Sequence, residues 1–241
     1  MIDTLGILIA AILAGAVAAM SGFGIGSLLT PVLMLSMPTV EAVALLALPH
    51  AVATLVRMVR LRQHVHWPTL RQFGVASAAG GLAGAVLQSR LGSPTLTLVL
   101  AALLMLVGAT ELLQRPVPLP ATRSWRVAGG VLSGIFGGLV GNQGGIRTAA
   151  LLGFGLSART LVATATVSAL LVDLARTPIY LLESGELISR SLPLVFLLIV
   201  GVTIGTFVGV PLLSRIPVAV YRRAIGALLL LVGISLLLAG R

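Results

Sequence analysis

The 241-residue sequence contains no cysteine and no lysine, and has only 6 acidic residues and 4% aromatic residues. Without cysteine there are no disulfides, thiolate metal sites, iron–sulfur ligands or cysteine nucleophiles, and three histidines are left as nitrogen ligands. Without lysine the phosphate-binding pattern Gly-x-x-x-x-Gly-Lys-Ser/Thr cannot occur, which argues against ATP hydrolysis by this chain. No His-Glu-x-x-His and no Gly-x-Ser-x-Gly element is present, so an intramembrane enzyme would lack its nucleophile, base or metal triad. No catalytic residue, metal or cofactor is expected.

Charge is scarce as well. Charged residues make up 9% of the chain and hydrophobic residues 58%, with mean hydropathy +1.12. A soluble domain carries about 25% charged residues, so there is too little polar side chain here to cover a water-facing surface. The chain reads as an all-α polytopic membrane protein whose surroundings are the lipid bilayer. All 16 basic residues are arginine and the net charge is +10. Nucleic-acid binding would need those arginines clustered on a polar folded domain, and there is none. The opening Met1-Ile2-Asp3 runs straight into an apolar segment with no cleavage signal behind it, so the first segment is expected to stay in the mature protein.

A charge at the bilayer centre costs several kcal/mol, so the gaps between charges mark the spans. Uncharged windows run over residues 4–40, 42–56, 72–89, 91–110, 127–146, 160–172, 191–214 and 224–240. Most suit one crossing of about 20 residues. The first, as one helix at 1.5 Å per residue, would be roughly 55 Å long against a core of about 30 Å, so it must fold back or break. Its middle reads Ser21-Gly22-Phe23-Gly24-Ile25-Gly26, and the second half carries Gly137-Gly138-Leu139-Val140-Gly141-Asn142-Gln143-Gly144-Gly145. Both clusters predict breaks between shorter helices, either hairpins or discontinuous crossings. In lipid, unwound backbone survives only where it is buried in protein or lines a cavity.

The chain also repeats. Trp67-Pro68 precedes Leu192-Pro193 by 125 residues, Ser89-Arg90 meets Ser214-Arg215 at the same offset, and Gly80, Gly84 and Gly108 fall on Gly205, Gly209 and Gly233. Earlier in each half the offset is near 118, matching Met37-Pro38 with Gly155-Leu156 and Glu41 with Arg159. The expected organisation is one transmembrane domain over 1–241, with a first repeat at 1–113, a linker loop at 114–126 and a second repeat at 127–241. Each repeat would hold a glycine-broken hairpin or re-entrant segment and three crossing helices. The basic loop Arg57, Arg60, Arg62, His64, His66, Arg71 and the group Arg115, Arg123, Arg126 are placed in the cytoplasm. An inverted second half puts about 12 arginines inside, against about 10 for a parallel one, which favours inversion.

These residues resemble the TauE/SafE family of sulfite exporters, also described as 4-toluene sulfonate uptake permeases. The likeness is carried by the first glycine-rich element and Pro31, by the second at Gly137–Gly145, and by the duplicated architecture. Where the family has three consecutive glycines, this sequence has Gly24-Ile25-Gly26-Ser27 and Asn142-Gln143 before Gly144-Gly145. The resemblance implies a multi-pass protein of the bacterial inner membrane that moves a small sulfur-containing anion such as sulfite, sulfoacetate or a related sulfonate. An anion channel on the same frame is the alternative, and monomer and homodimer both stay open.

Two helix breaks meeting near the midplane would offer backbone N–H groups and positive dipole ends to such an anion. The candidate substrate-binding residues are therefore Ser21, Gly22, Gly24, Gly26, Gly141, Asn142, Gln143, Gly144, Gly145 and Arg147. The bland alternative for the glycines is tight helix packing, which is the preferred reading of Gly80/Gly84 and Gly205/Gly209. Asn142 and Gln143 would otherwise satisfy backbone freed by the break, and Arg147 would otherwise sit at the interface. Candidate coupling or gating residues are His50, Asp173, Arg176, Arg90 and Arg215. His50 is either a proton carrier or a neutral bridge between helices, and Asp173/Arg176 are either an ion pair near a helix end beside Pro178 or a charge relay. Arg90 and Arg215 are either matched gates or residues snorkelling to headgroups.

Overall fold

The computed structural model describes the backbone of residues 4–21, 25–114, 122–213 and 218–238. The expected site residues Gly22, Gly24 and Arg215 lie outside the described residues, and of Ser21 only the backbone is described. The described chain is helical: α1 (Thr4–Ser21), α2 (Ile25–Leu33), α3 (Thr39–Leu61), the single turn α4 (Trp67–Thr69), a π-helical turn (Leu70–Gly74), α5 (Val75–Gln88), α6 (Ser93–Leu113), α7 (Arg123–Val140), α8 (Gly144–Leu152), α9 (Ala158–Arg190), α10 (Leu192–Leu213) and α11 (Val218–Leu238). Among the described residues, four helices are long and apolar enough to cross a membrane: Thr39–His64, Ser93–Leu113, Ala158–Arg190 and Ala219–Leu238.

Local signals explain where several helices begin. Thr122 accepts from the Trp125 N–H at 3.4 Å and Ser157 from the Thr160 N–H at 3.4 Å, capping α7 and α9. Pro38 precedes α3, and Pro94 sits in the first turn of α6, where its missing N–H costs nothing. The starts of α3 and α9 lie 119 residues apart, so the earlier register of the two halves is one residue longer than the expected 118. The basic segment also differs from a plain solvated loop: His66 caps α4, its ring accepting from the Thr69 N–H at 3.3 Å, and its own N–H reaches Thr164 at 3.0 Å.

Glycines set the packing of the long helices. Gly15 of α1 lies against the Val202 backbone of α10, and Gly134 of α7 against that of Ser77 in α5. Gly205 of α10 meets Ile12, and Gly80 of α5 meets Val131. In α6 and α11, Gly108 faces Gly226 and Leu230 while Gly233 faces Ala101 and Met105. A Cβ at these glycines would fall inside its neighbour, so the backbones touch as in small-residue membrane interfaces. The packing reading of Gly80, Gly84 and Gly205 therefore holds. These six contacts fall into three pairs, the members of each pair using residues 119 or 125 positions apart with the halves exchanged.

The exterior carries large apolar side chains such as Leu98, Leu106, Leu174, Leu182, Phe196 and Leu231, whereas Ser27, Thr30, Asn142, Gln143, Arg147, Asp173 and Arg176 are buried. That distribution reverses a soluble protein's and suits lipid outside with a polar centre. Helices α3 and α9 pack against each other through the middle, flanked by α10 and α5.

Candidate functional site

The start of α2 meets the break between α7 and α8. Gly141 ends α7 in the left-handed region at φ 70°, where its N–H reaches the Gly137 carbonyl at 3.1 Å. Asn142 and Gln143 follow, and α8 starts at Gly144. The Gly26 backbone at the start of α2 lies directly on the Gly141 carbonyl, closer than any Cβ would permit. Beside it, Ser27 Oγ donates to Asn142 Oδ1 at 3.0 Å. The expected residues Gly26, Gly141, Asn142 and Gln143 are thus brought to one place. Gly144 is buried with them, while Gly145 packs on Val107 of α6.

Asn142 and Gln143 are almost fully buried, yet among the described residues Asn142 Nδ2 and both polar atoms of the Gln143 amide have no hydrogen-bond partner. A buried amide left open costs about 1–3 kcal/mol, which a polar ligand or water would recover. Arg147, one turn into α8, is 2% exposed, so it is enclosed by protein.

Against the breaks stand the middles of α3 and α9. His50 Nδ1 is 2.7 Å from Asp173 Oδ2, joining the two helices, and Thr54 Oγ1 lies 3.4 Å from the same ring nitrogen. Arg176 donates to Asp173 Oδ1 through Nε at 3.1 Å and Nη2 at 2.9 Å. Its Nη1 donates to the Gly137 carbonyl at 2.6 Å, and Tyr180 donates its hydroxyl to the Gly138 carbonyl. Tyr180 thus fills a carbonyl that the end of α7 leaves open, while Arg176 is a second donor to the Gly137 carbonyl, which already accepts from the Gly141 N–H. Asp173 and Arg176 are therefore mid-helix rather than near an end: α9 continues through Pro178 to Arg190, with one non-helical residue at Ser184. The pair can sit at membrane depth because each charge is hydrogen-bonded.

Arg57 was missed as a site residue. The charge gap places it with the basic loop, but α3 runs on to Leu61 and Arg57 is buried, its Nη1 donating to the Ala18 carbonyl near the end of α1. The available signal was its match to Arg176 across the halves, 119 residues on. Arg90, by contrast, is exposed in the turn after α5.

The described buried charges are thus three guanidinium groups, Arg57, Arg147 and Arg176, against one carboxylate, Asp173, with His50 alongside. Arg57 and Arg147 lie within electrostatic range of each other and of Asp173. A centre with two more cationic than anionic groups, walled by apolar helices, favours an anion over a cation or neutral solute.

The family model of the sulfite exporter TauE/SafE family matches residues 7–236. The chain belongs to that family, whose members are transporters of sulfite and related sulfur anions, and its apolar helices are those of a membrane protein. No curated protein and no solved structure matches the chain.

Proposed function

We propose that this member of the TauE/SafE family is a secondary transporter that moves a small sulfur-containing anion, such as sulfite or sulfoacetate, across the bacterial inner membrane by alternating access. The observation that carries the reading is the buried cationic excess where the start of α2 meets the α7–α8 break, beside amides with open donors. A sulfur oxyanion supplies the missing negative charge, and its oxygens accept from Asn142 Nδ2, the Gln143 amide and Arg147. The glycines keep side chains from filling the junction.

Alternating access would follow from two inverted halves, α1–α6 and α7–α11, rocking about this junction. The exchanged glycine contacts support the duplication, and the arginine balance supports the inversion. His50 bridges α3 and α9 through Asp173, one helix from each half, so protonation of the imidazole would change both the charge of the site and the link between halves. We assign it the coupling proton.

The test is thermal unfolding of the purified protein with sulfite, sulfoacetate, taurine and sulfate, for the native sequence and for Asn142→Ala/Gln143→Ala. A rise in Tm with a sulfur anion, lost in the double variant, is expected. No shift with any of the four would remove the substrate class, and an equal shift in the variant would move the site elsewhere.

A further inference from the structure

We propose that Arg57, with Arg60 and Arg159, forms a second anion subsite at the mouth of the bundle, where a small oxyanion occupies the position that a carboxylate occupies beside Arg176. The inference rests on the anion-transport reading above and adds a separate binding place to it. A pocket of about 390 Å³ is lined by Arg57, Arg60 and Arg159, together with Thr206, Ala19 and Leu61. Among the described residues, no acidic side chain lines it. The Arg60 guanidinium lies 3.9 Å from the centre of the Phe207 ring, which holds it at the rim, and Arg159 projects from the first turn of α9.

The argument turns on two matched arginines. Arg57 and Arg176 are 119 residues apart, and so are the carbonyls they bind, Ala18 and Gly137. Arg57 thus binds near the end of α1 and Arg176 near the end of α7. Three residues before Arg176 stands Asp173, which accepts from Arg176 Nε at 3.1 Å. Three residues before Arg57 stands Thr54, which carries no charge. Arg57 Nε is buried and has no hydrogen-bond partner among the described residues, although the side chain is only 5% exposed and borders the pocket. The donor that Asp173 fills in one half is therefore open in the other, at a pocket already rich in arginine. An oxyanion there accepts from Arg57 Nε and is drawn in by Arg60 and Arg159, which gives the transported anion a first stop before the buried junction.

The test is calorimetric titration of the full chain in detergent with sodium sulfite and, separately, sodium sulfate. Thr54→Asp places a carboxylate three residues before Arg57 and is expected to weaken both anions about tenfold or more. Arg60→Gln/Arg159→Gln changes two exposed side chains, so it reads the pocket even if Thr54→Asp fails to fold. It is expected to weaken both anions several-fold and to flatten the salt dependence of binding. Native-like binding in Thr54→Asp and in Arg60→Gln/Arg159→Gln overturns the proposal, as does the absence of binding of either anion to the native chain. Sulfate binding sensitive to these variants without sulfite binding upholds the subsite and defeats sulfite as the transported anion. Sulfite binding lost in Asn142→Ala/Gln143→Ala but indifferent to the pocket variants does the reverse.

Discussion

Gly26→Ala probes the point where the start of α2 touches the break between α7 and α8. A Cβ at Gly26 would fall within 3.0 Å of the Gly141 carbonyl carbon and still closer to its oxygen, and the obstacle is backbone that cannot rotate away. Restoring ordinary contact requires the start of α2 to move off the end of α7 by about 1 Å. Overpacking of this kind costs about 1–3 kcal/mol, with backbone obstacles at the upper end. The same displacement stretches the 3.0 Å bond from Ser27 Oγ to Asn142 Oδ1, adding about 1 kcal/mol. Alanine gains about 1 kcal/mol of helix propensity over glycine, leaving a net loss of about 3 kcal/mol. For a chain of this size that is a fall in Tm of about 6–12 °C, read from helical circular dichroism in detergent. Gly185→Ala is the control: nothing lies within 4 Å of its Cβ, so the same chemical change should be neutral or stabilising by up to about 1 kcal/mol. If Gly26→Ala melts with or above the native chain while Gly185→Ala behaves as expected, the start of α2 does not meet the α7–α8 break as described.

Asp173→Asn removes the one described buried carboxylate and leaves three buried arginines, so it should destabilise the chain by about 3–5 kcal/mol, and added sulfite should recover part of the loss in a Tm measurement. His50→Gln keeps a polar side chain opposite Asp173 but cannot carry the proton. Vesicles bearing it should still bind sulfite but show no sulfite-driven change of internal pH on a trapped dye, and an undiminished pH change would clear His50 of the coupling role.

The all-helical membrane character and the break after α7 were legible because apolar composition and glycine density are properties of the linear chain. The break at Gly141–Gln143 and the packing glycines Gly80 and Gly205 follow directly from that pattern. Charge spacing misleads where a charge is buried. It ended the third helix before Arg57 and set Asp173 near a helix end, whereas both lie inside long helices whose partners come from far away in sequence. The bond from His50 to Asp173 spans 123 residues, and no local pattern announces it. Arg57 could have been found by comparing the halves at an offset of 119, since the arginine and the site of its carbonyl partner recur together.

The central claim is that the buried cationic junction binds and carries a sulfur anion, and radiolabelled sulfite exchange in proteoliposomes tests it most directly. Vesicles preloaded with unlabelled sulfite should take up labelled sulfite faster than empty ones, and Asn142→Ala/Gln143→Ala should abolish that uptake. Uptake no faster than in protein-free liposomes, or uptake indifferent to preloading as through an open pore, would contradict the account.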